Sequence, residues 1–205
     1  MSDITQDSTA SLPAPATTRS SVGTDIALIS TFAAFIAVCA ILPGIPTGTG
    51  VPITLQTFAV ILSGLVLGWR RGALAVLLYL AVGLAGVPIF AEAYGGLGVL
   101  SKPSVGYLLA FPFGAALAGL LATPAARSVG YARWTVLFSA GVFGSLLTIH
   151  VGGIIGLMSK LGLDFGTALK ADAIYLPGDI VKNAAAAGVA YTLFRSYPDL
   201  LRNRR

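Results

Sequence analysis

Asp179 and Lys182 stand three residues apart in the stretch YLPGDIVKNAAAAGVAY, residues 175–191. On a helix, positions i and i+3 share a face, so this pair offers one acceptor and one donor to the same small molecule. For Asp179 taken alone, the simpler reading is structural. An aspartate after Pro177-Gly178 and before an apolar run resembles an N-cap that satisfies the unpaired N–H groups of a helix start. Lys182 does not fit that reading. It lies in the first helical turn, where the positive end of the helix dipole disfavours a cation. Asn183 and the alanines that follow make a weakly hydrophobic helix, better suited to close packing between helices than to facing lipid. An ionisable residue deep in a membrane span costs about 2.5–3.5 kcal/mol, and such residues mark functional sites by default. The pair is therefore read as a binding site for a small polar molecule.

The elements that position this pair are membrane spans. Of the 205 residues, 56% are hydrophobic and only 10% charged, against about 25% charged in an average soluble domain. Asp, Glu, Lys and Arg are absent from 26–69, 72–91, 103–126 and 134–159, and a bilayer core needs about 20 apolar residues as helix. The fold class is an all-α membrane protein. Turn and charge signals divide it into six transmembrane helices, near 26–42, 54–68, 72–86, 104–123, 133–160 and 179–195, with Arg70-Arg71-Gly72 as a tight turn. Residues 1–24, rich in Ser, Thr and Pro, read as a disordered tail. Residues 25–197 form the six-helix domain, and 198–205 a basic tail.

With six spans both termini share a side. All nine arginines fall there (Arg19, Arg70, Arg71, Arg127, Arg133, Arg195, Arg202, Arg204 and Arg205), while Lys102, Lys160, Lys170 and Lys182 fall opposite. Retention of basic residues in cytoplasmic loops puts both termini in the cytoplasm. The outward connections, 43–53, 87–103 and 160–178, then hold the Pro-flanked polar clusters. Pro52 and Pro88 interrupt short spans, and irregular backbone at membrane depth is tolerated only inside protein or around a cavity. A pocket is expected on the outer face.

Other chemistries find little support. Cys39 is the single cysteine and His150 the single histidine, so no disulfide within the chain and no cysteine-based metal site can form. No nucleophile, base or metal set is recognisable, which argues against an enzyme. His150, among glycines and isoleucines, reads as a hydrogen bond between helices and is placed outside the site. Glu92 reads as solvated. Trp69 and Trp134 read as interfacial anchors.

Three motifs in order, VPITLQT (51–57), the Leu-Tyr-Leu … Gly-x-Pro-x-Phe-Ala element ending at Ala91, and Pro-Gly-Asp-x-x-Lys at 177–182, resemble the BioY family. Its members are the biotin-specific substrate-capture (S) components of energy-coupling-factor transporters. The resemblance implies a multi-pass protein of a bacterial or archaeal cytoplasmic membrane that binds biotin from outside. Partners would be a transmembrane coupling subunit and cytoplasmic ABC-type ATPases. The chain itself carries no Walker A sequence and no cofactor, ATP being used by the partners; no nucleic acid is involved. The family's Asp-x-x-Lys falls on Asp179, to accept a ureido N–H, and on Lys182, to donate to the ureido oxygen or neutralise Asp179. Thr54, Gln56 and Tyr107 fall in motif segments as further biotin contacts, and Phe90, Tyr107 and Tyr175 are candidate walls for the bicyclic ring. Docking on the coupling subunit is expected through Ala33 and Ala37. Where family members commonly have Gly-Pro-Thr, this chain has Lys102-Pro103-Ser104; Lys102 is either a carboxylate partner or, as the favoured reading, a rim charge. The rival function is a self-sufficient proton-coupled porter with Asp179 as the titrating group.

Overall fold

The computed structural model describes residues 21–198 and Leu200. Most of the expected N-terminal tail, residues 201–205 of the C-terminal tail, and with them Arg19, Arg202, Arg204 and Arg205, lie outside the described residues. Eight α-helices carry the described chain: α1 Val22–Ile41, α2 Gln56–Leu67, α3 Trp69–Leu84, α4 Val105–Leu121, α5 Gly130–Gly144, α6 Val151–Leu161, α7 Phe165–Ala173 and α8 Leu176–Ser196. Among the described residues, extended pairing is limited to two isolated bridges, Ile45 with Ile53 and Phe90 with Tyr94.

Local chemistry explains where these helices begin. The Ser21 hydroxyl accepts from the Thr24 N–H at 3.2 Å, so α1 starts at Val22, taking residues expected in the tail. The chain reverses between α2 and α3 at Gly68, whose φ of 84° favours glycine. Trp69 already opens α3, and Arg70 and Arg71 lie in its first turn instead of forming the turn, as had been expected from the sequence. The connection expected at 160–178 contains α7. Asp164 caps it, its Oδ1 accepting from the Thr167 N–H at 3.2 Å and its Oδ2 from the Thr167 hydroxyl at 2.6 Å. Between α5 and α6 the helix does not break but widens into a π turn, Ser145–His150. There the Thr148 hydroxyl donates to the Gly144 carbonyl at 2.6 Å, competing with the backbone ladder.

Among the described residues, three helical stretches are long and apolar enough to cross a membrane: Val22–Ile41, Val105–Ala126 and Gly130–Leu161. Polarity is inverted relative to a soluble protein. Phe113 is 68% exposed and Leu147 and Ile155 60%, while Gln56, His150, Asp172, Asp179 and Asn183 are buried. Because lipid tails are as apolar as leucine, the helices gain association from close packing and polar contacts instead of from water exclusion. Glycines provide the close packing. A Cβ at Gly64 on α2 would collide with the Ala115 backbone on α4, and one at Gly106 on α4 with Gly152 and Gly156 on the α5–α6 helix.

At the end of the bundle where α1 and α3 begin, Arg71 pairs with Asp25 at 2.8 Å. α1 packs on α2 and α3. Ala33 is buried in the core and Ala37 half-buried, whereas Ala34, Phe35 and Val38 face outward.

Candidate functional site

Opposite the Arg71–Asp25 end, a pocket with about 740 Å³ of empty space, counting its open mouth, lies among the loop before α2, the starts of α2, α4 and α8, and the connection between α3 and α4. Each of the expected contact residues lines it: Thr54, Gln56, Phe90, Tyr107, Tyr175, Asp179 and Lys182.

Asp179 is not a cap. Tyr175 holds that position, and the Asp179 N–H donates to the Tyr175 carbonyl at 2.9 Å, inside the helical ladder. Its side chain is instead committed to the pocket wall. Lys182 Nζ donates to Asp179 Oδ1 at 2.8 Å and to the Thr57 hydroxyl at 3.1 Å, and that hydroxyl in turn donates to Asp179 Oδ1 at 2.9 Å. The carboxylate offsets both the burial of the cation and its place at the unfavourable end of the helix dipole. Thr57 was not among the expected site residues, although it closes the Pro-Ile-Thr-x-Gln-Thr motif.

The other polar residues brace the walls. Gln56 Nε2 donates to the Tyr79 hydroxyl at 2.7 Å, which donates onward to the Ile89 carbonyl at 3.2 Å. Tyr79 meets Phe90 edge to face at 5.4 Å between ring centres. This fastens the α3–α4 connection to α2. The Thr54 hydroxyl accepts from the Gln56 N–H at 3.3 Å, steadying the start of α2. The Tyr175 hydroxyl donates to the Val51 carbonyl at 2.8 Å and lies 2.7 Å from the Thr49 hydroxyl, pinning the hairpin that Ile45 and Ile53 form. Tyr107 and Tyr175 meet at 5.6 Å. Both turn their rings to the pocket and their hydroxyls to the protein.

Lys102 sits on the rim, yet it lines the pocket. Its Nζ is 3.4 Å from Glu92 Oε2 and 2.9 Å from the centre of the Tyr94 ring. Glu92 and Ala93 adopt left-handed backbone, φ 61° and 56°, a strained bend for non-glycine residues. Glu92 is exposed but paired.

The residues that sequence reasoning missed lie behind Asp179. His150 Nδ1 is 2.8 Å from Asp172 Oδ2, and the Tyr107 hydroxyl donates to Asp172 Oδ1 at 2.7 Å. On its other side, His150 Nε2 stands 3.2 Å from Asp179 Oδ2, within ion-pair range but off the line of a hydrogen bond. His150 does join helices, as expected, but it also reaches the pocket's acid. Asp172 lay in a segment read as a connection. The available signal was its spacing, two helical turns before Asp179. Among the described residues, no group of three His, Cys, Asp or Glu side chains is placed to hold a metal ion.

Residues 11–199 match the model of the BioY family. A biotin transporter BioY from Rhizobium etli is 34% identical over 177 residues, 85% of this chain and 95% of that one. One from Rhodobacter capsulatus is 36% identical over 189 residues, 86% and 96% of the two chains. Among solved structures, the S-component for biotin from an ECF-type ABC transporter superposes with a TM-score of 0.75 at 26% identity, covering 84% of this chain and 92% of that one.

Proposed function

The chain belongs to the BioY family, and from that premise we propose that its pocket captures biotin as the substrate-specific component of an energy-coupling-factor importer. It is a transporter component and not an enzyme. The observation that carries the reading is the Asp179–Lys182–Thr57 cluster, an acceptor and donors held together in an otherwise aromatic and aliphatic pocket. A cyclic urea presents N–H groups beside a carbonyl oxygen and needs this pairing. Asp179 accepts from the ureido N–H. Lys182 neutralises Asp179, and an ammonium has three donors: two serve Asp179 and Thr57, which leaves a third for the ureido oxygen. Thr54 and Gln56 complete the polar wall, while Phe90, Tyr107 and Tyr175 flank the bicyclic ring. The carboxylate end of biotin points to the rim, where Lys102 is the nearest cation.

Six crossings fit the architecture: α1, α2, α3, α4, the continuous α5–α6 helix, and α8. The starts of α1 and α3, joined by Arg71 and Asp25, would face the cytoplasm with Arg70, Arg127, Arg133 and Arg195, and the pocket would face outside. A transmembrane coupling subunit and ABC-type ATPases would then supply the energy of uptake. Family membership does not favour the alternative, a self-sufficient proton-coupled porter.

Calorimetry on the detergent-solubilised chain, with thiamin and riboflavin as controls, tests the assignment. Biotin alone should bind. Binding of none of the three, or of all three equally, would remove the claim that this chain forms the biotin site.

A further inference from the structure

Behind the ligand-facing pair lie two further ionisable residues, His150 and Asp172, for which the capture reading has no use. Asp172 is 2% exposed, Asp179 5% and His150 4%. These three come from different elements: α7, α8 and the last residue of the π turn. The groups facing the imidazole are Asp172, with Tyr107 of α4 behind it, and Asp179, with Lys182 and Thr57 behind it. Two buried carboxylates need two cations, and Lys182 serves only Asp179. A neutral imidazole donates from one nitrogen; an imidazolium donates from both. With Asp172 on Nδ1 and Asp179 facing Nε2, the doubly protonated ring is the form that serves both acids. The π turn supports the same conclusion. Wide turns cluster at functional sites, and this one ends on the residue that joins α7 to α8.

We infer that His150 is a positioning residue for biotin capture: as an imidazolium held by Asp172, it orients the Asp179 carboxylate and supplies the second positive charge of the buried cluster. This rests on the biotin reading of the pocket. The ring contributes no contact to the ligand. It sets a positive charge 3.2 Å from the far oxygen of the acid that does, so affinity acquires a dependence on the protonation of a residue outside the pocket lining.

The test uses the full chain without a histidine tag, in detergent. Biotin affinity is measured by calorimetry across a pH series for the wild type, His150→Gln and Asp172→Asn. Because His150 is the chain's single histidine, its ring nitrogens also give an unambiguous NMR signal that needs no variant. The expected results are a wild-type affinity that falls as pH rises, a loss of at least tenfold in each variant, a flattened pH profile in His150→Gln, and two protonated ring nitrogens in the wild type. Unchanged affinity and pH profile in His150→Gln, with wild-type biotin binding intact, would overturn the inference and leave the capture reading standing. If the variants fail to fold, a wild-type ring with a single N–H overturns it instead. Failure of the wild type to bind biotin sinks the capture reading first, and this inference with it.

Discussion

At the pocket end, α2, α4, α7 and α8 are joined through side-chain polar groups: Thr57 to Asp179, Tyr107 to Asp172, and His150 between the two acids. At the opposite end, α2, α3 and α4 meet almost backbone to backbone, at Gly64, Gly72, Ala115 and Gly119. One end is held by directional bonds that a ligand can join. At the other, shape sets the contact among α2, α3 and α4, and the ion pair found there, Arg71 with Asp25, ties α3 to α1. In lipid, where an apolar face gains no more from another helix than from the lipid tails, this division assigns stability mainly to the glycine contacts and selectivity mainly to the polar cluster.

The sharpest way to break that division is Gly64→Leu. Its side chain would have to displace the α4 backbone, so a loss of about 3 kcal/mol or more is expected, read as a collapse of the thermal midpoint in detergent. A variant that folded normally and still bound biotin would show the glycine contact to be dispensable. Next comes Asp179→Asn, which keeps the shape but removes the charge. Biotin affinity should fall at least tenfold, about 1.4 kcal/mol, with helix content unchanged by circular dichroism. Unchanged affinity would make the Asp179–Lys182 pair merely structural. At the far end, Arg71→Ala removes the pair with Asp25, a half-exposed ion pair whose usual contribution is at most about 1 kcal/mol. A small drop in thermal midpoint is expected, with biotin affinity unaltered; a tenfold loss of affinity would couple the two ends.

The smallest effect concerns the cap of α7. The hydroxyl and N–H of Thr167 hold the Asp164 carboxyl below the usual aspartate range. A group with a lowered folded-state value stabilises above its ordinary value, and that contribution is lost as pH falls through the lowered one. Asp164→Ala should therefore melt slightly below wild type at neutral pH, and the gap should close on acidification through the aspartate range. A gap independent of pH would mean that the carboxylate charge is not what caps the helix.

The sequence made some of this legible and left the rest obscure for physical reasons. Lys182 stood out because a cation at a helix start contradicts the helix dipole, and a contradiction of that kind needs a local partner. The long uncharged tracts made the apolar helices visible. Arg70 and Arg71 looked like a turn because charge and position suggested one, yet the reversal belongs to Gly68, where backbone freedom outweighs side-chain polarity. The nine-residue α7 is too short for periodicity to announce it, although Asp164 and Thr167 carried a capping signal. The His150–Asp172 contact joins residues 22 apart, and no local pattern encodes a pairing of that kind. Ala33 and Ala37 illustrate the converse difficulty. Small residues four apart mark a close contact, but not whether the neighbour belongs to the same chain.

The π turn at Ser145–His150 has a consequence for how the chain tolerates change in length. Ahead of it, α5 packs on α4 and α8; beyond it, α6 packs on α4 and α7. The turn is where one continuous rod changes neighbours. Each α-helical residue advances the face by about 100°, so adding a single residue here, where the π turn already holds one more than an α turn, would not lengthen a loop. It would rotate the whole of α6 out of phase with α7, turning Gly152 and Gly156 away from Gly106 and carrying His150 off its two acids. In a helix without visible interruption, one residue of length thus acts as a phase setting for everything downstream.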